Sequence, residues 1–183
     1  MGFQQMDRGV EEANRAGQNF KNLNLKFDIV FTSELKRAQN TAKIILENLD
    51  QFNELNLQNK IINNFNLNER DYGDLTGLNK KETADKFGED QVHKWRRGYS
   101  DQPPNGESLE DVVNRVKIYF DSYILPLINK SENNNILIAA HGNSLRALLI
   151  VMKIYTPDNI NSVELSTGVP IHVLFEKNTF VIK

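Results

Sequence analysis

Residues 135–140, an almost entirely apolar run, constrain the fold of this chain more than any other feature. A strand without polar alternation is typical of the centre of a parallel sheet, where helices cover both faces. The run leads directly into a glycine turn and then into a helix predicted from about Ser144 to Tyr155. A strand that passes at once into a helix is the unit from which layered α/β folds are built.

Four other segments predict short strands. They are rich in β-branched and aromatic residues, which are typical of strands. They cover residues 27–31, 60–67, 170–176 and 180–182.

Apolar residues at helical spacing predict the helices between these strands. Val10, Ala13, Gly17 and Phe20 share one face of the first helix, and Leu35, Ala38, Ala42 and Ile45 share one face of the second. Ser33 is expected to cap the second helix, which continues to about Leu49.

The middle of the chain is more polar. Residues 80–99 predict a mostly helical stretch, which residues 103–106 break with two prolines and a glycine. Ser108 and Asp111 predict a capping box at the start of a further helix. Strands that alternate with helices predict a three-layer α/β/α sandwich with a mostly parallel sheet. The length of 183 residues favours one domain spanning 1–183.

The charge balance and the apolar runs exclude several classes of partner. The 22 Lys and Arg against 24 Asp and Glu give a formal charge of −2, so nothing draws the whole chain to nucleic acid or anionic lipid. The absence of cysteine excludes disulfides, thiolate metal sites and cysteine nucleophiles. The longest apolar runs, 136–140 and 148–152, are too short to span a bilayer, and the N-terminus has no secretory-type apolar stretch. We therefore expect a cytoplasmic protein with no nucleic acid or membrane partner.

The turn after the apolar strand is the first candidate functional segment. In parallel α/β sheets, ligands bind at the carboxyl ends of the strands. The following helix N-terminus offers free N–H groups and a partial positive charge, which suit a phosphate. His141 lies at this junction, ahead of Gly142 and Asn143, and can donate a hydrogen bond to a bound anion. A structural histidine in a tight turn is the alternative that this segment alone leaves open.

Three other segments carry residues suited to a phosphorylated ligand. Arg37 lies one turn after a strand, where a guanidinium can bind a phosphate through two hydrogen bonds. Glu69 and Tyr72 lie in a glycine-rich loop, and Glu69 can act as a general acid/base if burial raises its pKa. Arg96 and Arg97 belong to a small basic cluster with aromatic residues. The simpler interpretations are a solvent-facing arginine, an ordinary polar loop and a solvated basic helix face.

Together these segments resemble the cofactor-dependent phosphoglycerate mutases of the histidine phosphatase superfamily. The resemblance is carried by FTSELKRAQNTA, LNERDYGDLTGLNKKE, FGEDQVHKWRRGY, PPNGESLEDVVNRV, LIAAHGNSLRALL and STGVPIHVLFE, and it runs from about Gly9 to the end. The His-Gly string and the Arg37 segment are shared widely in the superfamily. The glycine-rich loop, the Arg-Arg-Gly-Tyr cluster and STGVPI are typical of the mutases.

The resemblance implies a phosphoglycerate mutase-like fold and an isomerase of glycolysis and gluconeogenesis. Members of this family interconvert 3-phosphoglycerate and 2-phosphoglycerate through a phosphohistidine. They are primed by 2,3-bisphosphoglycerate and need no metal. Their partners are small-molecule phosphoglycerates, and they often form homodimers.

The resemblance also assigns roles to individual residues. It implies that Glu69 exchanges a proton with the substrate hydroxyl. Arg37 and His141, with the backbone of Gly142 and Asn143, would surround the transferring phosphoryl group. The carboxylate and distal phosphate of the substrate would be held by Tyr72, Lys80, Arg96 and Arg97.

One motif of the family has no counterpart in this sequence. The family's first strand ends in Arg-His-Gly and carries the nucleophilic histidine, whereas residues 9–17 here match the helix that follows it. His93 and His172 neither follow a buried strand nor open a glycine turn, so we expect neither to be the nucleophile. We therefore expect an N-terminally incomplete domain, with its first strand missing and with little or no mutase activity.

Three hypotheses would explain why the first strand is missing. The chain is a fragment or truncated product of a mutase, an inactive relative that only binds phosphorylated ligands, or a chain whose strand comes from rearrangement or a second chain. A phosphatase of the same superfamily is the other enzymatic alternative.

Overall fold

A computed structural model describes residues 2–54, 60–130 and 134–183, although the side chains of residues 2–7 and of Lys80 lie outside the description. The main sheet contains three parallel strands, β1 (Ile29–Thr32), β2 (Ile61–Asn63) and β3 (Ile136–Ala139). Their order is β2-β1-β3, so β1 lies between the other two. The predicted parallel sheet is confirmed.

Helices connect and follow these strands. They are α1 (Gly2–Asn22), α2 (Lys36–Asn48), α3 (Lys80–Phe87), α4 (Glu89–Arg97), α5 (Leu109–Tyr119), α6 (Leu125–Lys130) and α7 (Gly142–Val151). A π-helical turn, Phe120–Ile124, joins α5 to α6. Short 3₁₀ turns cover Phe65–Leu67, Gly73–Leu75 and Ile160–Ser162.

Successive residues of β1 face opposite layers of helices. Ile29 and Phe31 pack in one apolar cluster with residues of α5 and α7. Val30 packs in a second cluster with residues of α1 and α2. Because side chains alternate across a strand, one strand contributes to both cores. The arrangement confirms the three-layer α/β/α sandwich.

The chain ends in a two-stranded antiparallel hairpin, β4 (Val173–Glu176) and β5 (Thr179–Ile182). Lys177 and Asn178 form its turn, and both have positive φ, as a two-residue hairpin loop requires. The two terminal strands predicted from the sequence are therefore present, the first starting later than expected.

Several sequence predictions need correction. In the described sheet the central strand is the fully buried β1, whereas the more apolar β3 has two half-buried residues. The predicted strand at 60–67 is shorter, because it turns into the 3₁₀ segment, and the helix after β3 begins at Gly142 and ends at Val151. Residues 80–97 form two helices, because Gly88 between them has a φ of 84°. Val10, placed on the buried face of α1, is 47% exposed.

Ser33 does not cap α2. The residue before the helix is Leu35, which provides no side-chain cap, while the Ser33 hydroxyl accepts a hydrogen bond from the Leu35 N–H at 3.2 Å. The capping box at Ser108 and Asp111 is confirmed: each side chain bonds the backbone N–H of the other.

The loop before α3 interlocks with the loop before α5. Gly73 has a φ of 53°, and a Cβ there would lie 2.2 Å from the carbonyl oxygen of Pro104. A Cβ on Gly106 would lie 2.7 Å from the Gly73 nitrogen. Only glycine allows the two backbones to approach this closely. The interlock holds the loop that carries Glu69 and Tyr72 against the start of α5.

Candidate active site

The carboxyl ends of β1 and β3 bring two buried residues together. Thr32 pairs with Ala139 in the register of the sheet, so the residues that follow them meet at one edge. The Ser33 hydroxyl lies 2.8 Å from Nε2 of His141. Both residues are buried, with His141 7% exposed and Ser33 fully enclosed. His141 therefore lies at the strand ends, as the sequence predicts.

The second ring nitrogen of His141 faces an arginine. Arg37, in the first turn of α2, donates from Nε to Nδ1 at 3.1 Å. Because an arginine can only donate, Nδ1 carries no proton, and this assigns the imidazole proton to Nε2, which donates to Ser33. Burial, and then the charge of Arg37, lowers the pKa of His141 to about 4. His141 is therefore a neutral imidazole near pH 7.

The start of α7 is built around the backbone of His141. The Ser144 hydroxyl accepts from the His141 N–H at 3.0 Å and donates to the His141 carbonyl at 3.1 Å. His141 has extended backbone angles, so the helix begins at Gly142. The partial positive charge of this helix end faces the same edge as Arg37 and favours an anion there.

Glu69 is joined to this helix end by Asn143. Its Oε1 accepts from the Asn143 side-chain amide at 3.0 Å and from the Asn143 N–H at 3.3 Å. The same oxygen accepts from the Arg70 N–H at 2.7 Å. The Asn143 amide also donates to the Tyr72 hydroxyl at 3.2 Å. Among the hydrogen bonds of the described residues, none ends on Oε2 of Glu69.

Arginines surround Tyr72. The guanidinium carbon of Arg70 lies 4.6 Å from the centre of the Tyr72 ring, and that of Arg96 lies 5.7 Å from it. A guanidinium over an aromatic face is attracted by the negative charge of that face. Arg70 also donates to the Arg96 carbonyl at 3.1 Å, which joins the loop to the end of α4.

Arg146, one turn into α7, lies close to the same groups. It donates to the carbonyl of Gly142 and to that of Val163, both at 3.3 Å. Burial, and then the charge of Arg97, lowers the pKa of Arg146. The two positive charges are therefore near enough to repel each other.

Three buried guanidinium nitrogens have no partner within the described parts of the chain: Nε of Arg70, of Arg96 and of Arg146. No carboxylate of those residues forms an ion pair with Arg37, Arg70, Arg96, Arg97 or Arg146. A buried polar group without a partner costs free energy. A bound anion with several oxygens would remove that cost.

The structure brings together most of the predicted site residues. Direct contacts link Arg37 with His141, and Glu69 and Tyr72 with Asn143, while Arg96 stacks on Tyr72. Arg97 is exposed, and its charge helps to lower the pKa of Arg146, which puts the two side chains near each other. The side chain of Lys80 lies outside the described residues.

Sequence reasoning missed Ser33, Arg70 and Arg146 as members of the site. The sequence predicts a helix cap for Ser33, although its place directly after β1 puts it at the strand ends. Arg70 is adjacent to Glu69, and Arg146 lies four residues after Gly142, on the same face of α7. Their positions next to predicted site residues are the sequence signals that could have identified the two arginines.

Neither a metal-binding cluster nor a membrane-spanning helix is present among the described residues. Within the parts of the chain that the structure describes, no group of three His, Asp or Glu side chains is arranged to hold a metal ion. The helices of those parts are all too short or too polar to cross a membrane.

Comparison with known proteins identifies relatives over nearly the whole chain. The family model described as histidine phosphatase superfamily (branch 1) matches residues 6–183. A 2,3-bisphosphoglycerate-dependent phosphoglycerate mutase of Methylocella silvestris is 50% identical over 165 residues, which cover 90% of this chain and 77% of that one. The enzyme of the same name in Bartonella bacilliformis is 48% identical over 176 residues, 96% of this chain and 82% of that one.

Solved structures show the same fold at lower identity. The alpha-ribazole phosphatase from Shigella flexneri is 22% identical, with a TM-score of 0.74, over 96% of this chain and 80% of that one. The mycobacterial glucosyl-3-phosphoglycerate phosphatase is 19% identical, with a TM-score of 0.71, over 95% of this chain and 83% of that one. The chain therefore belongs to branch 1 of the histidine phosphatase superfamily and, within it, to the family of the 2,3-bisphosphoglycerate-dependent phosphoglycerate mutases.

Proposed function

We propose that this site binds phosphoglycerates and provides the proton-transfer and phosphoryl-stabilising groups for moving a phosphoryl group between the two hydroxyl oxygens of glycerate. The observation that carries the proposal is that the buried Nε atoms of Arg70, Arg96 and Arg146 have no partner among the described residues, in a site that also holds Glu69 and His141. A phosphorylated three-carbon acid supplies negative charge at both ends, which suits such a site. The relatives at 45–50% identity, named as phosphoglycerate mutases, support the same reaction.

Arg37, His141 and the start of α7 would hold the phosphoryl group in transfer. Arg37 supplies a permanent positive charge, and the helix end supplies a partial one. Because His141 is neutral, the charge on this side of the site comes from Arg37 and the helix end. Groups fixed in place before the reaction stabilise developing negative charge without reorganising. Gly142 and Asn143 would contribute their backbone to the same pocket.

Glu69 would exchange the proton with the substrate hydroxyl. Its Oε1 is engaged by the N–H groups of Arg70 and Asn143, which fixes the plane of the carboxylate. Its Oε2, which no described hydrogen bond reaches, is the oxygen available to the substrate. A general acid/base must lie within hydrogen-bond reach of the proton that it moves.

The cations around Tyr72 would hold the other end of the substrate. Arg96 and Arg97, with Tyr72, are proposed to bind the carboxylate and the distal phosphate. Arg70, whose Nε is also buried without a partner, extends this group. Lys80 is proposed to contribute a further positive charge.

The bisphosphorylated acid named in the relatives, 2,3-bisphosphoglycerate, fits the same residues. Two phosphates need two groups of cations, and the site offers Arg37 beside His141 and a second group around Tyr72. When bound, it would supply the phosphoryl group that primes the reaction. The unpartnered nitrogens of Arg70 and Arg96 are the observation that favours this fit. We propose no metal for the reaction.

The phosphoryl-carrying histidine is not proposed among the histidines of this sequence. Both ring nitrogens of His141 are engaged, and His93 and His172 are exposed, with no hydrogen bond to the site among the described contacts. We therefore propose that residues 1–183 alone turn over slowly or not at all. The lack of a histidine suited to carry the phosphoryl group in this sequence favours a second candidate function, the binding of phosphoglycerates without catalysis. We further propose a single domain acting in the cytoplasm, with a homodimer as its assembly.

A mutase assay with 3-phosphoglycerate and 2,3-bisphosphoglycerate tests the proposal. It compares the 183-residue chain with the same chain extended by an N-terminal strand that ends in Arg-His-Gly. We expect turnover only in the extended chain, where Glu69→Gln and His141→Ala each lower kcat by about 10²-fold or more. Net release of phosphate would instead indicate a phosphatase. Binding of 3-phosphoglycerate with turnover in neither chain would favour the second candidate.

A further inference from the structure

Arg115, on α5, donates several hydrogen bonds to the backbone of the loop that carries Glu69. Its side chain is only 14% exposed. Nη1 donates to the Asn66 carbonyl at 2.6 Å, and Nη2 donates to the carbonyls of Asn68 and Glu69 at 3.1 and 3.4 Å. One guanidinium therefore fixes three backbone positions up to and including Glu69.

Glu107 holds that guanidinium and fixes the loop on the other side of Glu69. Its two carboxylate oxygens accept from Nε and Nη2 of Arg115 at 2.8 and 3.0 Å. One of these oxygens also accepts from the Asp71 N–H at 2.9 Å, and the Glu107 N–H donates to the Asp71 carbonyl at 2.8 Å. Burial raises the pKa of Glu107, but the hydrogen bonds from Arg115 and Asp71 outweigh it and hold that pKa below its ordinary value.

Hydrogen bonds thus hold the backbone at Asn68 and Glu69 and again at Asp71, on both sides of the carboxylate that faces α7. Glu69 reaches Asn143 through Oε1. Neither Glu107 nor Arg115 forms a hydrogen bond to any other site residue described above. A paired guanidinium and carboxylate form a rigid fork, so the pair can transmit its position through the backbone to Glu69.

We propose that the Glu107–Arg115 pair positions the Glu69 carboxylate for proton exchange with the substrate. The inference rests on the proposed function of Glu69, because a misplaced carboxylate matters only if it meets the substrate. Both members are positioning residues, since they act through the loop and touch no reacting atom. A pair that only stabilised the fold would not control where Oε1 of Glu69 lies.

Amide hydrogen exchange measured by NMR tests the position of Glu69 directly. The double variant Arg115→Met with Glu107→Met removes the pair without leaving one buried charge behind. The backbone N–H groups of Arg70 and Asn143 both donate to Oε1 of Glu69. We expect these two amides to exchange at least about 10-fold faster in the double variant than in the parent chain. The His141 amide, which bonds Ser144 at the same helix end, should be unchanged.

Two further variants keep the test decisive if the double variant folds poorly. Arg115→Lys keeps the charge but loses the fork, and we expect an intermediate increase at Arg70 and Asn143. Lys117→Met is the matched control, because Lys117 is also on α5 and its exposed pair with Asp121, in the π-helical turn, is removed. Unchanged exchange at Asn143 in Arg115→Lys, or equal acceleration at His141, would overturn the proposal.

Calorimetric binding of two probes separates this inference from the proposed function. We expect Arg115→Lys to weaken 3-phosphoglycerate binding several-fold, up to about 10-fold, and to change inorganic phosphate binding by less than about 2-fold. Equal effects on both ligands, or none on 3-phosphoglycerate, would contradict positioning. A parent chain that binds neither probe would refute the proposed function, while the exchange of Arg70 and Asn143 would still decide whether the pair positions Glu69.

Discussion

Nε2 of His141 lies 2.8 Å from the hydroxyl of Ser33, although the two residues are 108 positions apart in the sequence. With Arg37 on the other ring nitrogen, this contact assigns the imidazole one tautomer and one orientation. Ser33 therefore fixes the hydrogen-bonding state of the histidine that faces the proposed phosphoryl position.

Ser33→Ala should destabilise the chain and release the tautomer of His141. The substitution leaves a buried Nε2–H without an acceptor, which costs about 1–3 kcal/mol of unfolding free energy. Urea unfolding measures the cost, and ¹⁵N shifts of the His141 ring measure the tautomer. Ser162→Ala, which removes an exposed hydroxyl bonded to the Asn159 carbonyl, is the control. An unchanged His141 ring in Ser33→Ala would contradict the assignment.

Stability should fall as the pH drops from about 6.5 to 4. The pKa of His141 is lowered to about 4 in the folded chain from an ordinary value of 6.5, so the unfolded chain binds more protons in this interval. The contribution of His141 is fully present above pH 6.5 and is lost as the pH falls, up to about 3 kcal/mol. Urea unfolding at several pH values measures the slope, and His141→Gln should reduce it. A His141 ring that titrates near pH 6.5 by NMR would refute this.

Inorganic phosphate should raise the pKa of His141. A phosphate held by Arg37 neutralises the positive charge that, after burial, holds this pKa down. By linkage, phosphate should then bind more tightly as the pH approaches the pKa of His141 from above. NMR titration of the His141 ring with and without phosphate measures the shift. Arg37→Met should abolish most of it, and a shift that survives this change would remove Arg37 from the role.

Arg96→Met should weaken ligand binding without destabilising the chain. The Arg96 side chain stacks on Tyr72 but has a buried Nε without a partner, so its removal should change the unfolding free energy by less than about 1 kcal/mol. The affinity for 3-phosphoglycerate should fall about 10-fold or more, because a charged hydrogen-bond donor is lost. Arg15→Met, an exposed substitution on α1, is the control. An unaltered affinity would remove Arg96 from the site.

Gly73→Ala should disrupt the interlocked loops. The added Cβ meets the Pro104 carbonyl and the backbone has positive φ, so we expect a loss of more than about 1 kcal/mol in unfolding free energy. Gly77→Ala separates the two causes, because Gly77 also has positive φ but faces open space. Thermal unfolding of both variants measures the difference. Equal losses would mean that the close approach to Pro104 contributes nothing.

Much of the layered fold could be predicted from the sequence, because periodicity reports which face of an element is buried. The helices α1, α2 and α5 and the strands β1 and β3 follow from that signal. The order of the strands in the sheet cannot be predicted in this way. Both β1 and β3 are apolar, and periodicity does not indicate which strands pair with each other. The prediction that Ser33 caps α2 was wrong for a related reason. A hydroxyl before a helix can either cap that helix or form a hydrogen bond with a distant side chain, and the Ser33 hydroxyl bonds His141.

The site shows the same limit. His141, Glu69 and Arg37 follow from segments that end strands, because strand ends converge in this fold. The roles of Arg115 and Glu107 depend on backbone carbonyls and amides of another loop, which no residue pattern specifies. Arg146 lies on the expected helix, but its closeness to Arg97 depends on the tertiary arrangement of two segments far apart in the sequence.

The parallel pairing of β1 with β3 has a consequence for folding kinetics. It joins segments more than a hundred residues apart, and contacts of such long range form late because a large loop must first close. Ser33, Arg37 and His141 cannot meet before that closure. Recovery of phosphate binding during refolding therefore reports the docking of the two halves of the chain, whereas recovery of helical signal reports earlier, local events.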